Sequence, residues 1–226
     1  MTMLASPLPP VVPSFFDRAR SALGALATLA RDHGRLDQVL VLTQAVNAGT
    51  VARAVDRFEA MEEGRWLFTT RPRIDRAHVD FDALRRLPEG TLGREYTRFL
   101  DDNGITPDAF EELPSVGDER AAWIMLRMRQ THDLWHVLTG YAPDVRGELL
   151  LQAFTYAQIE APSALVLVVF GSLRWMKLLE RTHLSELRAA FRRGKATSFL
   201  PTFRWEEHWS TPVSELRAML ACPAAT

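Results

Sequence analysis

Thr131-His132-Asp133-Leu134-Trp135-His136-Val137-Leu138-Thr139-Gly140, followed after three residues by Asp144-Val145-Arg146-Gly147-Glu148, places two histidines, an aspartate and a glutamate within seventeen residues. A helix advances about 100° per residue, so relative to His132 the side chain of Asp133 lies about 100° around the axis and that of His136 about 40°. His132/His136 and Asp133/His136 are i,i+4 and i,i+3 neighbours on one helix face. Gly140 is a helix stop and Asp144 a helix start. A connection this short returns the chain antiparallel, which brings Glu148, one turn into the second helix, against the last turns of the first. The spacing predicts a metal site on two consecutive helices, with His132, Asp133, His136 and Glu148 as candidate ligands and candidate catalytic residues. By spacing alone, Asp133 is open between a ligand and an outer partner that fixes a histidine ring. Glu148 is likewise open between a ligand and a first-turn acid favoured by the helix dipole.

Outward from this stretch the pattern stays helical. Asp118 begins the helix that Gly140 ends, and Asp144 begins one expected to run to about Gly171 with a bend at Pro162. Upstream, Ser14 to about Asp32, Asp37 to Val46 and Thr50 to about Glu63 read as helices, with Gly64 as the stop of the third. Arg65 to His78 is less regular. Asp80 caps a short helix, Leu87-Pro88-Glu89-Gly90 is a turn, Thr91 opens a helix to near Asp102, and Thr106-Pro107 opens another short one. Downstream, Leu173 to Arg181 and Leu184 to Arg193 read as helices, Trp205 to Trp209 is an aromatic and acidic cluster, and Thr211-Pro212 opens a last helix. No segment alternates as a strand does. The fold class is all-α, a single-domain multi-helix bundle over 14–226, preceded by an extended Pro-rich arm at 1–13.

The 226 residues carry a net charge of −1, with no basic footprint for nucleic acid. The single cysteine, Cys222, excludes an intrachain disulfide and a thiolate metal cage, so a metal must be held by His and carboxylate. That donor set suits Zn, Fe(II), Mn or Co. The N-terminus lacks the basic and apolar regions of a secretory signal. The longest uncharged apolar run, Ala161 to Leu173, has thirteen residues, short of the roughly 18 that a spanning helix needs. The expectation is a protein without signal peptide or transmembrane helix. Arg127 and Arg129 flank the constellation and are candidates either for an anionic substrate or for surface ion pairs. Met125, Met128 and Trp135 read as core.

The motif His132-Asp133-x-x-His136, eleven residues, then Glu148 resembles the signature of the ubiquinone (coenzyme Q) biosynthesis family called Coq-four. The flanking runs Arg129 to Tyr141, Gly147-Glu148 and Ala153-Phe154-Thr155-Tyr156-Ala157-Gln158 agree. Leu87 to Tyr96 resembles the family's Thr-Leu-Gly segment, and Trp205-Glu206-Glu207-His208-Trp209 its Trp-Glu-Glu region. The similarity spans roughly residues 60 to 220. The resemblance implies an all-helical protein holding a divalent metal, usually zinc, through the four matched residues. It implies work on a polyprenylated aromatic ubiquinone precursor, beside other ubiquinone biosynthesis enzymes, peripherally on the cytoplasmic side of a membrane. A homodimer is one assembly open to such a chain.

On this resemblance the activity expected is metal-dependent oxidative decarboxylation of a polyprenylated 4-hydroxybenzoate, removing the carboxylate and installing a hydroxyl at ring carbon one. The metal would meet the head group and stabilise developing charge, and Ala164 to Phe170 would either line a groove for the tail or form a buried core helix. The alternative is a non-catalytic lipid-binding scaffold for the biosynthetic complex, with a structural metal. His-Asp-x-x-His also resembles the zincin His-Glu-x-x-His, but its base would be one methylene shorter and the Glu148 spacing is unusual for that class.

Overall fold

The structure, a computed structural model, describes residues 15–31, 36–110, 118–174 and 183–224. Its helices are α1 (Phe15–Arg31), α2 (Leu36–Val46), α3 (Ala48–Ala60), α4 (Glu62–Thr70), α5 (Phe81–Arg85), α6 (Leu92–Asn103), α7 (Glu119–Thr139), α8 (Val145–Ile159), α9 (Pro162–Arg174), α10 (His183–Ala196) and α11 (Val213–Met219). Short 3₁₀ turns occupy Pro107–Phe110, Leu200–Thr202 and Trp205–Glu207. Among the described residues there is no strand, only an isolated antiparallel bridge between Thr91 and Pro212. The all-α class is as expected. The arm at 1–13 lies outside the described residues, as do residues 175–181 of the helix expected to end at Arg181.

The bundle is built around α7. This helix buries residues on every side, from Trp123, Ile124 and Leu126 near its start to Leu134, Trp135 and Leu138 near its end. A helix apolar all round belongs in the interior. α3 and α4 pack on its N-terminal half through Phe58 and Leu67, and α6 and α11 pack along its C-terminal half with Tyr96, Leu100 and Leu216. α8 follows it after a short turn and is covered by α9 and α10. At 25 cal/mol per Å² each fully buried Leu or Phe adds about 1.5–3 kcal/mol, so this layer of large side chains holds α7 and α8 in register.

Arg127, on α7, is fully buried. It donates to Glu206 through both terminal nitrogens and to the Phe203 carbonyl at 2.9 Å. It is neither a surface pair nor a substrate contact, because it locks the C-terminal Trp205-Glu206-Glu207 turn onto the central helix.

Two boundaries differ from the sequence expectation. Gly64 lies inside α4 rather than ending α3; the break is at Met61, which is extended (φ −100°, ψ 145°). A Cβ at Gly64 would stand 2.1 Å from the Phe58 carbonyl oxygen, so the glycine serves close helix approach and not a stop. α8 does not bend through Pro162. It ends at Glu160 in the left-handed region (φ 52°) and α9 starts afresh with Pro162 in its first turn, where a missing N–H costs nothing. Beyond these two boundaries, Thr106-Pro107 opens, among the described residues, a 3₁₀ turn over Pro107–Phe110 in place of the expected short helix.

Candidate metal centre

The local signals that position the constellation are capping interactions. The Asp118 carboxylate accepts from the N–H groups of Arg120 and Ala121 and starts α7, and Gly140 closes it at φ 78°, its N–H donating to His136 O at 2.7 Å. The Asp144 carboxylate then accepts from Gly147 N at 2.7 Å and starts α8. The turn between them is tight: a Cβ at Gly147 would lie 2.0 Å from the Ala142 carbonyl oxygen. Only glycine lets α8 begin this close to the end of α7, and Glu148 is the next residue.

His132, His136 and Glu148 come together as the spacing predicted. Each offers one donor atom, and the three lie within 4.8 Å of one another. His136 Nε2 is 3.1 Å from Glu148 Oε1, and His132 Nε2 is 3.6 Å from Glu148 Oε2. Tetrahedral zinc with donors at about 2.0–2.1 Å requires donor–donor separations of about 3.4 Å, which these two distances bracket. Asp133 is not one of the three. It sits beside them, close enough that its charge is felt by His132, and through α6 by Tyr96.

The orientation of the His136 ring is set by its surroundings. Its Nδ1–H donates to the Tyr141 carbonyl at 2.9 Å. With the proton on Nδ1, the lone pair is on Nε2, which is buried and makes no hydrogen bond. A lone pair facing a carboxylate oxygen 3.1 Å away is two acceptors with no donor between them. A cation held there satisfies both, so the residues present fit a divalent metal. The outer carbonyl on the histidine's other nitrogen is the usual companion of such ligation.

The electrostatics follow the same geometry. Burial alone would push the Glu148 carboxyl up, but in the metal-free site the adjacent His132 and His136, when protonated, outweigh it and hold it well below the usual carboxylate range. Burial would lower the His132 imidazole, yet Glu148, with Asp133 behind it, raises it. Asp133 is pushed up by burial and by Glu148, against the pull of the two histidines. Burial, followed by Asp133, drives the Tyr96 phenol up.

One side of the site is sealed and the other is open. The His136 side chain is 1% exposed, whereas His132 is 34% and Glu148 42% exposed. Phe99 of α6 stacks along His136, with ring centroids 5.3 Å apart and planes 20° apart. Tyr96 and Phe99 were not singled out from sequence: at 92, 96, 99 and 100 they read as an ordinary apolar stripe, and nothing local says that α6 lies against the histidines. A cleft of about 610 Å³ is walled by Arg98, Phe99, His136, Tyr141 and Arg217, among others, but by neither His132 nor Glu148. It reaches the constellation only through the His136 ring. No helix among the described residues is long and apolar enough to cross a membrane.

Comparison with known proteins agrees with this picture. Residues 11–224 match the family model described as coenzyme Q (ubiquinone) biosynthesis protein Coq4. The chain is 32% identical over 206 residues to the Coprinopsis cinerea protein named ubiquinone biosynthesis protein COQ4, mitochondrial, covering 90% of this chain and 70% of that one. It is 32% identical over 200 residues to the Mus musculus COQ4 homolog, also named mitochondrial, covering 88% and 75%. A crystal structure from Nostoc punctiforme, of a protein described as a candidate for ubiquinone biosynthesis, superposes with a TM-score of 0.71 at 28% identity, covering 89% of this chain and 97% of that one.

Proposed function

The chain belongs to the coenzyme Q (ubiquinone) biosynthesis protein Coq4 family, and on that footing we propose that it is a metal-dependent enzyme acting on the head group of a polyprenylated 4-hydroxybenzoate. The reaction is an oxidative decarboxylation. The bond between ring carbon one and the carboxyl carbon breaks, carbon dioxide leaves, and a carbon–oxygen bond forms in its place. With water as the oxygen donor the carboxylic acid releases two protons and two electrons, so the reaction needs a two-electron oxidant; dioxygen, taking up both to leave as hydrogen peroxide, is the oxidant we favour.

What supports this reading is the one-sided exposure of the constellation: a histidine sealed in the core opposite a histidine and a glutamate that are only half-buried. Partly exposed donors let a substrate reach a metal held between them, as a catalytic site requires. His132, His136 and Glu148 would hold the metal, and Asp133 is proposed as the fourth ligand. When bound, the metal supplies Lewis acidity to the head group's carboxylate or phenolate. The protein's own contributions are orientation and exclusion of water. Tyr141 O orients the His136 ring through Nδ1, Phe99 covers the ring's buried face, and Gly147 sets the approach of Glu148.

The reading as a non-catalytic lipid scaffold draws on a different observation. Leu165, Val169 and Leu173 are exposed at i, i+4 and i+8 on α9, with Leu184 exposed at the start of α10. Such a stripe suits a lipid surface, and peripheral membrane association is proposed under either reading. One experiment separates the two. The purified protein is loaded in turn with Zn, Fe(II), Mn or Co under air and given carboxyl-labelled prenyl-4-hydroxybenzoate. Release of labelled carbon dioxide with at least one metal is the expected result, and tight binding with no release under every metal favours the scaffold.

A further inference from the structure

Three consecutive carbonyls at the C-terminus of α7 are capped by arginines from elsewhere in the chain. Arg217 of α11 donates to Leu138 O at 2.7 Å and to Val137 O at 3.2 Å. Arg193 of α10 donates to Thr139 O at 2.8 Å. Cations at this end of a helix oppose its dipole, which accounts for Arg217. Arg193 does more. Its guanidinium carbon stands 5.1 Å from the centroid of the Tyr141 ring, within cation–π range. Burial pushes the Tyr141 phenol up, and Arg193 acts against that rise. One side chain therefore grips the residue before Gly140 by its carbonyl and the residue after it by its ring.

Tyr141 is the residue whose carbonyl takes the His136 Nδ1–H. Tyr141 is packed in the core, and Arg217 caps the carbonyls just before the turn. Within the turn, Gly140 takes the left-handed conformation that glycine permits, and Tyr141 N reaches the Thr139 hydroxyl only at 3.4 Å, so Arg193 adds the grip on both its flanks. Arg193 holds this position at a cost, since its Nε and one terminal nitrogen are buried without hydrogen-bond partners.

We infer that Arg193 is a positioning residue for the metal: by clamping the 139–141 turn it presents the Tyr141 carbonyl to His136 Nδ1 and so holds the ring with Nε2 aimed at the ion. It touches neither metal nor substrate. The inference rests on the proposed metal site, and the test keeps the two apart.

The test is the affinity of the full-length protein for Zn(II), measured by competition with a chromophoric chelator, together with the visible spectrum of the Co(II) form and the melting temperature of the metal-free protein. Arg193→Met keeps the length and removes the charge and the donors. Its expected effect is a loss of Zn(II) affinity on the order of 10- to 100-fold, the range for outer partners of metal ligands, with a changed cobalt spectrum. Arg57→Met is the control, because Arg57 lies 3.4 Å over the Phe199 ring and far along the chain from the constellation; it should leave affinity and spectrum unchanged. If Arg193→Met does not yield folded protein, Arg193→Gln decides, with a tenfold or greater loss supporting the inference. Wild-type affinity and an unchanged cobalt spectrum in the deciding variant overturn it, whatever happens to the melting temperature. A wild-type protein that binds neither ion sinks the metal site itself.

Discussion

Gly147→Ala tests whether the turn between α7 and α8 builds the site. The added Cβ would lie 2.0 Å from Ala142 O and 2.8 Å from both Ala142 C and Ala142 N, and real Cβ contacts essentially never fall below 3.0 Å. All three neighbours are backbone, so no side chain can swing aside. The turn must withdraw by about 1 Å. Overpacking of this kind costs about 1–3 kcal/mol or more, offset by up to about 1 kcal/mol from the better helix propensity of Ala. We expect a net loss of about 1–2 kcal/mol, which in a chain of this size lowers the melting temperature by roughly 2–8 °C. The larger effect falls on the next residue. Glu148 oxygens stand 3.1 and 3.6 Å from the two histidines, and a shift of 1 Å takes them out of the range one ion can bridge. Metal affinity should fall on the order of 10- to 100-fold, and turnover of the head group by about 100-fold. Scanning calorimetry of the metal-free protein and chelator competition read the two effects separately. A Gly147→Ala protein that melts like wild type and binds metal as tightly would refute the claim that this close approach places Glu148.

Arg127→Met leaves the partly buried Glu206 without its partner and should cost about 1.5–3 kcal/mol by chemical denaturation, while the double change Arg127→Met/Glu206→Leu should recover most of it; additive losses would show that the pair is not the linkage. The Asp75 carboxyl is buried, which would raise its pKa, but His78 and Arg73 outweigh burial and hold it below the ordinary value. A depressed carboxyl stabilises the fold above its unfolded pKa of about 3.9 and loses that contribution as pH falls through the lower folded value. The stability advantage of wild type over Asp75→Asn should therefore persist at neutral pH and shrink below about pH 4; a gap constant down to pH 2 would contradict this. Val169→Asp/Leu173→Asp should weaken sedimentation with anionic lipid vesicles severalfold without changing metal content, and undiminished sedimentation would remove α9 from any lipid contact.

The constellation was legible because its signals are local. Asp118, Gly140 and Asp144 announce helix ends by hydrogen bonds within three or four residues of themselves, and the i,i+4 relation of the histidines needs no tertiary knowledge. Glu148 required only that a short turn reverse the chain. What escaped was decided by neighbours distant in sequence. Gly64 looked like a stop because glycine usually is one, whereas its reason for being there is the Phe58 backbone pressed against it. Pro162 was read as a bend although α8 had already ended at Glu160, a residue whose left-handed conformation has no sequence signature. Arg127 looked like a surface cation until Glu206 came to meet it from 79 positions away. Phe99, Tyr141 and Arg193 act on His136 through a stacked ring, a backbone carbonyl and a clamp on that carbonyl's turn, none of which a residue type advertises.

The proposed metal centre stands on His136 Nε2, which the hydrogen bond from Nδ1 to Tyr141 O orients to join His132, Glu148 and the proposed Asp133 in holding a divalent ion. Elemental analysis of the purified wild-type chain beside His136→Ala, both desalted and matched in concentration, tests it most directly. The account expects close to one divalent metal per wild-type chain and almost none in His136→Ala. Equal metal content in the two proteins, or none in either after reconstitution, would contradict it.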